Sequence, residues 1–465
     1  MTAPKAVARK TIWMLVIAMA AALLPLATVT APAGAETISA LTKRYVETFY
    51  PLWLTQLQFD VAPHNRLIGP DIVNPLYQGV VAINNDTLYA SSPVDTSGGP
   101  VMVTVPRTPA SYSVLLLDAF GNTYPVDIPS KQAGVNTPTK VYGLVAPGYR
   151  GGLPAGVTRV RLQHPFMILI FRADRFSDNR DLTAQAGRFR AALKMQTLSA
   201  WRANPQGGAT AVRSVAEFAL PVKTMADTLI NTAPVEFLRQ TQRAVGDGLR
   251  VPPLAPRHRA LADAFNRVFA GGADPAVWPA VSSGARAAHA AIIGNYLSNR
   301  DRNNWIHFTN IGKWGNNVLD RASLNEFIQF GNGISTAAYY HAFRDGNGAP
   351  LDGNRPGGYT LTFPANAIPD ASRFWSLTAY TPNSIELIPN AADKYLVAGY
   401  TPGLVRNRDG SITIHIARVK PAGVPEANWL PVGFRPFNVM LRLYGVIPGS
   451  GPANNTYVPP PVVAR

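Results

Sequence analysis

A chain of 465 residues with 47% hydrophobic and 15% charged side chains has room for two or three domains and is too apolar to be disordered. It contains no cysteine, which excludes disulfides, thiol catalysis, thiolate metal sites and a lipid-modified N-terminal cysteine. The formal charge of +16 suits anionic surfaces and polymers, but there is no run of five basic residues, zinc finger or RNP motif, so nucleic acid is not an expected partner.

The first predicted element is a leader. Lys5, Arg9 and Lys10 precede an apolar stretch from Ile12 to Leu26 that is too short for a comfortable membrane span, and Ala33-Gly34-Ala35 supplies the small residues a signal peptidase reads. Residues 1–35 therefore read as a signal peptide cleaved after Ala35, giving a secreted or periplasmic protein. No later stretch approaches about 18 unbroken apolar residues, so no integral membrane span is expected after cleavage.

Residues 36–180 read as a β-rich domain. The opening "ISALTKRYVETFYPLWLTQL" has helical spacing, but "VMVTVP", "SYSVLLLDAFGNTYPVDIP", "KVYGLVAPG" and "FMILIFRAD" are short β-branched or aromatic runs punctuated by Pro, Gly and Asn. Inside this region "VAINNDTLYASSPVD" sets Asn84, Asn85 and Asp86 side by side. Three short polar side chains suit a turn, because they bond their own backbone and tolerate left-handed conformations; beside a pocket they would offer an amide and a carboxylate to a ligand.

Residues 181–320 change period. "DLTAQAGRFRAALKMQTL" opens on an Asp cap, "APVEFLRQTQRAV" has Pro near its first turn, "PRHRALADAFNRVFAGG" ends on a Gly pair, and "SSGARAAHAAIIGNYL" opens on Ser, so this region is predicted to be a helical link. Strands return in 321–465 with "YTLTFP", "RFWSLTAY", "KYLVAGY", "SITIHIARV" and "FNVMLRLYGV". In "SITIHIARV", Ile412, Ile414 and Ile416 share one face. Turn signals such as "RNRDGS" point to antiparallel hairpins, and a Pro/Gly-rich tail follows Pro448. The predicted class is α+β, mainly β: two antiparallel β-sandwich or jelly-roll-like regions joined by a helical middle segment.

Familiar chemistry is missing its parts. The seven histidines show no HxH or HxxxH spacing, GxSxG is absent, no GxxxxGK phosphate loop occurs, and "GNGIST" and "GDGLRV" lack the third glycine of a dinucleotide fingerprint. Neither a metal nor a cofactor is expected. Asp86 and Asp118 are the candidate catalytic acid/base residues, Asp118 because it follows "VLLL" at a strand end near Asn122, Tyr124 and His164. Asn84, Asn85, Tyr89, His164, Trp375 and Tyr380 are the candidate ligand-binding residues, with Trp429 as a second aromatic platform beside Trp375. The bland alternatives are Asx turns for the acids and core packing for the rings. "NWLP" (Asn428–Pro431) is predicted to close the last β region with Trp429 buried.

Two motif blocks carry a resemblance. "NNDTLYASSPVDTSGGPVMVTVPRTPASYSVLLLDAFGN", with "HPFMILIFRAD" further on, resembles the bacterial family called domain of unknown function 1254. The matching positions are Asn84, Asp86, Thr87, Tyr89, Pro100, Pro106, Tyr112 and Asp118. "FWSLTAY", the strand around Tyr395, "DGSITIHIA", "NWLP" and "LRLY" together resemble the partner family, domain of unknown function 1214. After NWLP the chain departs from that pattern, with Val432-Gly433-Phe434 where another Pro and a small residue are usual. The resemblance implies two β parts with a helical link and no catalytic residue or cofactor. The expected function is to act on or bind a small molecule, or an envelope glycan or lipid, in a cleft between two β domains. The alternative is a non-catalytic envelope protein whose cationic surface holds anionic polymers. Whether it is an enzyme, and whether it forms a homo-oligomer, stay open.

Overall fold

The computed structural model describes residues 36–465 apart from 71–72, 76–78, 132–136, 178–179 and 214–220. The leader lies outside the described residues. Among them, no helix is long and apolar enough to cross a membrane.

The organising elements are strands that are apolar on both faces. Phe166–Asp174 is buried at all nine positions. Its odd residues Met167, Leu169 and Phe171 pack with Val101, Val103 and Leu144 of a facing sheet. Its even residues Phe166, Ile168 and Ile170 instead join a cluster shared with the helices. Asn438–Tyr444 does the same in the C-terminal block. Val439, Leu441 and Leu443 meet Leu361, Ile414 and Ile416, while Met440 and Tyr444 turn to the shared cluster. Alternation with period two splits each strand between a private core and a common one.

Each block is thus a two-sheet sandwich. The N-terminal one packs a six-stranded sheet, centred on Thr87–Asp95, Phe166–Asp174 and Tyr112–Leu117, against a four-stranded sheet holding Val101–Val105 and Lys140–Val145. The C-terminal one packs a five-stranded sheet, centred on Ala337–Ala342, Asn438–Tyr444 and Phe374–Tyr380, against a four-stranded sheet holding Tyr359–Phe363 and Ile412–Ala417. The central pairings are antiparallel. The five-stranded sheet is antiparallel throughout, and the other three are mixed, because Ile68–Pro70 pairs Ala211–Arg213, Lys140–Val145 pairs Val157–Arg161, and Ile412–Ala417 pairs Trp429–Pro431 in parallel.

The helix Ile38–Val61 runs through the shared cluster and is buried nearly all round. It packs on Trp278–Ser298 at close range. A Cβ at Gly284 would come within 2.4 Å of the Ser39 carbonyl oxygen, so only glycine fits that crossing. Pro234–Val245, Pro256–Phe269, Val222–Thr232 and Val318–Phe327 join it in the helical layer, the first two opening on the proline that suits a first turn.

Three local expectations need correction. The predicted helix through "ALKMQTL" stops at Ala192; Lys194–Thr197 is a strand, because it covers the edge of Val101–Val105 and buries Met195. The N-terminal sandwich therefore continues past residue 180. The helix predicted from Ser282 begins at Trp278, with Pro279 in its first turn. Trp429 is half-buried: its Nε1 donates to the Ala417 carbonyl at 2.8 Å, while Leu430 supplies the fully buried side chain. Asn428 does hold the corner, bonding Val405 and Thr413 backbone at 2.9 Å.

Candidate functional site

The Asn-Asn-Asp segment is where the two blocks meet. Ala82 takes a left-handed conformation (φ 53°), which turns its carbonyl toward the C-terminal sheet. Arg442 Nη2 donates to that carbonyl at 2.6 Å, and the Ala82 N–H donates to the Ile385 carbonyl at 3.1 Å. Tyr380 Oη donates to the Ile83 carbonyl at 2.7 Å. Asn84 caps the Asp86 N–H with Oδ1 at 2.6 Å and reaches Tyr444 Oη with Nδ2 at 2.9 Å. Asp86, fully buried, accepts from Ser376 Oγ at 2.7 Å and from Tyr400 Oη. Burial pushes its carboxyl up to about 6, against the opposing pull of the Ser376 hydrogen bond, Arg442 and Arg175.

Beside this joint lies a cavity of about 100 Å³ walled by both sandwiches and the first helix. Each sheet sends in one directly opposed Tyr–Arg pair: Tyr89 faces Arg172 across the N-terminal ladder, and Tyr339 faces Arg442 across the C-terminal one. Arg172 lies over the Tyr89 ring at 5.7 Å. Its guanidinium is held by the Asn332 side-chain oxygen at 2.9 Å and the Phe330 carbonyl at 2.8 Å. Tyr339 Oη accepts from Asn332, and Tyr444 Oη from Asn84, so both phenol protons remain to be donated. Phe59, Ile168, Ile170 and Ile328 give the cavity an apolar flank.

Of the sequence candidates, Asn84 and Tyr89 line this cavity. Asp86 and Tyr380 stand behind it as supports. Asn85 serves the backbone instead: its side chain donates to the Val73 carbonyl, and its Oδ1 accepts from Arg175 at 2.9 Å. Trp375 points the other way, into the C-terminal core against Phe363, because it occupies an odd position of Phe374–Tyr380. It presents no exposed platform.

Asp118, Asn122, Tyr124 and His164 do come together, but away from the cavity. Asp118 accepts from the Phe120 and Asn122 N–H groups at 2.9 and 3.0 Å, from Asn122 Nδ2 at 2.8 Å and from Tyr124 Oη at 2.8 Å. Tyr124 Oη lies 3.2 Å from His164 Nε2. Four donors spend the carboxylate on a turn. His164 borders a separate pocket of about 430 Å³ with Phe166, Asp247 and Arg259.

Residues 64–197 match the family model DUF1254 and residues 336–448 match DUF1214, each described as a protein of unknown function. The chain carries the paired DUF1254 and DUF1214 regions. The crystal structure of the VPA0106 protein from Vibrio parahaemolyticus is similar at 20% identity and a TM-score of 0.57, covering 92% of this chain and 100% of that one. An uncharacterized protein from Burkholderia cenocepacia aligns at 15% identity and a TM-score of 0.42, covering 88% and 92% of the respective chains. No curated protein matches.

In those terms, the DUF1254 segment "NNDT" docks on the DUF1214 strands "FWSLTAY" and "LRLY". Sequence reasoning missed Arg172, Arg442 and Tyr339, which complete the cavity. A signal was present: a lone arginine inside an apolar strand, as in "FMILIFRAD" and "VMLRLY", needs a buried partner or a ligand. It also missed an ionic cluster in the helical layer. Lys223 Nζ lies 2.6 Å from Glu326 and 3.0 Å from Asp227, His289 Nε2 lies 3.2 Å from Asp227 and 3.5 Å from Glu326, and Tyr50 Oη donates to Glu326. Burial opposes charge on Glu326 and on His289. Lys223 and His289 nonetheless draw Glu326 down to about 2, and the two carboxylates lift His289 to about 9. Asp227, His289 and Glu326 offer donor atoms within 4.8 Å of one another, a spacing that could hold a metal ion, but the Lys223 ammonium already stands among them as the cation.

Proposed function

We propose that this exported protein binds a small molecule in the cleft between its two sandwiches. The observation that carries this reading is the composition of the cavity wall. Alternate residues from the central strands of both blocks enter it, and apolar surface lies next to convergent polar groups, as in ligand sites. Core packing alone would need neither the arginines nor the tyrosine hydroxyls. Asp86 and Asp118 are both consumed by hydrogen bonds, which favours binding over acid–base chemistry by these two residues.

The test is to incubate the mature protein with a metabolite extract, remove free solutes by gel filtration and identify what is retained by mass spectrometry. Ile170→Trp, which fills the cavity from its apolar wall, is the control. A compound retained by the natural protein and lost from a folded Ile170→Trp variant supports the site, whereas equal retention by both removes it. Export is tested separately by N-terminal sequencing of extracytoplasmic material, which should start at Glu36.

A further inference from the structure

Resting on that reading, we infer that the cleft takes a small organic carboxylate. The polar groups turned into the cavity by Arg442, Tyr339 and Tyr444 are donors. Arg442 is 1% exposed, and its Nη1 has no hydrogen-bond partner among the described residues. The guanidinium hydrogen bonds among the described residues go to neutral oxygens: Ala82 for Arg442, and Phe330 and Asn332 for Arg172. No Asp or Glu lies among the described residues that line the cavity. Asp86 is the carboxylate behind the wall, and its oxygens are occupied by Ser376 and Tyr400.

Two buried cations lacking a carboxylate in their own cavity are costly unless something negative joins them. A guanidinium presents a planar fork that matches a carboxylate edge, and the Tyr339 and Tyr444 phenol protons add donors at its side. The apolar flank of Phe59, Ile168 and Ile170 then receives the body of the acid. Size limits that body. The cavity is about 100 Å³, and an apolar cavity of about 150 Å³ is known to hold a benzene, so a short branched chain is the upper bound and an aromatic acid exceeds it.

The experiment is isothermal titration of the mature chain with acetate, isobutyrate, benzoate and phenylacetate, each paired with its neutral amide, and with inorganic phosphate. At least one acid should bind saturably and at least about ten-fold more tightly than its amide, with phosphate weaker than the best acid. Arg442→Gln should lower that acid's affinity about ten- to a hundred-fold and erase the preference over the amide. Arg442→Lys should recover part of it, which separates lost charge from lost fold. Acid and amide binding equally would overturn the carboxylate while leaving a small-molecule cleft standing. Phosphate matching the best acid would overturn the carboxylate in favour of any anion. No acid binding at millimolar concentration would overturn the inference, and the extract experiment would then show whether a neutral compound occupies the cleft.

Discussion

The helical layer and the cleft both bury charge, and they do so in opposite ways. In the helical layer Lys223 bonds both Asp227 and Glu326, and the His289 ring stands 3.2 Å from Asp227, so each charge faces an opposite one. In the cleft Arg172 and Arg442 rest on carbonyl and amide oxygens, and no Asp or Glu lies among the described residues that line the cavity. A balanced buried cluster costs most when one member is removed; an unbalanced one costs while it stands. The first pattern is that of a self-contained structural cluster, and the second is the observation behind the proposed carboxylate site.

The largest expected effect breaks the balanced member. Glu326→Gln leaves Lys223 and His289 buried without their main partner and should destabilise by about 3–5 kcal/mol in denaturant unfolding. A variant within experimental error of the natural protein would show that the cluster holds nothing together.

The pH profile sharpens the same contrast. Glu326 has its folded pKa depressed to about 2, so its contribution is present above its ordinary carboxylate range and is lost as pH falls through that value. His289 has its folded pKa raised to about 9, so its contribution is complete below its usual 6.5 and fades as pH rises through 9. Melting temperature should therefore be highest between about pH 4.5 and 6.5 for this cluster, and Glu326→Gln should flatten both limbs.

Asp86 has the reverse sign. Its folded pKa is raised, so the folded state holds a proton that the unfolded chain has released, and stability should fall as pH rises from 3.8 to about 6. Asp86→Asn should remove that decline, about 3 kcal/mol, while leaving neutral-pH stability level or slightly higher, as read by thermal melts across the range. The smallest effect is expected at Arg442. Arg442→Gln should move stability at pH 7 by less than about 1 kcal/mol, because losing one hydrogen bond to Ala82 and the attraction to Asp86 is offset by no longer burying a charge.

Much of the fold was legible because period-two patterns are local. "SITIHIARV" shows its inward face directly, and Ile412, Ile414 and Ile416 are buried as expected. The segment "KMQT" was misread because its strand identity comes from an open edge some ninety residues earlier at Val101–Val105, not from its own composition. The site was half legible. Asn84 and Tyr89 stand in a signature that marks a turn, and both line the cavity, although the signature does not say which side of the turn faces it. Trp375 was misassigned because an aromatic ring shows its size in sequence but not which face of the strand it occupies; one register step separates the core from the cleft. Arg442 and Arg172 escaped notice because they are far apart in the chain and meaningful only when the two sheets meet.

The shared apolar cluster makes the two sandwiches a single folding commitment. The cleft-facing sides of Phe166–Asp174 and Asn438–Tyr444 set their arginines among Phe166, Ile168, Ile170, Met440 and Tyr444, apolar surface that neither block covers alone, and the helix Ile38–Val61 packs Phe59 against Phe166. Either block expressed separately would expose a broad greasy sheet face and aggregate. A chain cut at the exposed Asn204–Gln206 turn, by contrast, should yield two pieces that stay associated and co-purify, since the surfaces that recognise each other are the ones already buried in the intact protein.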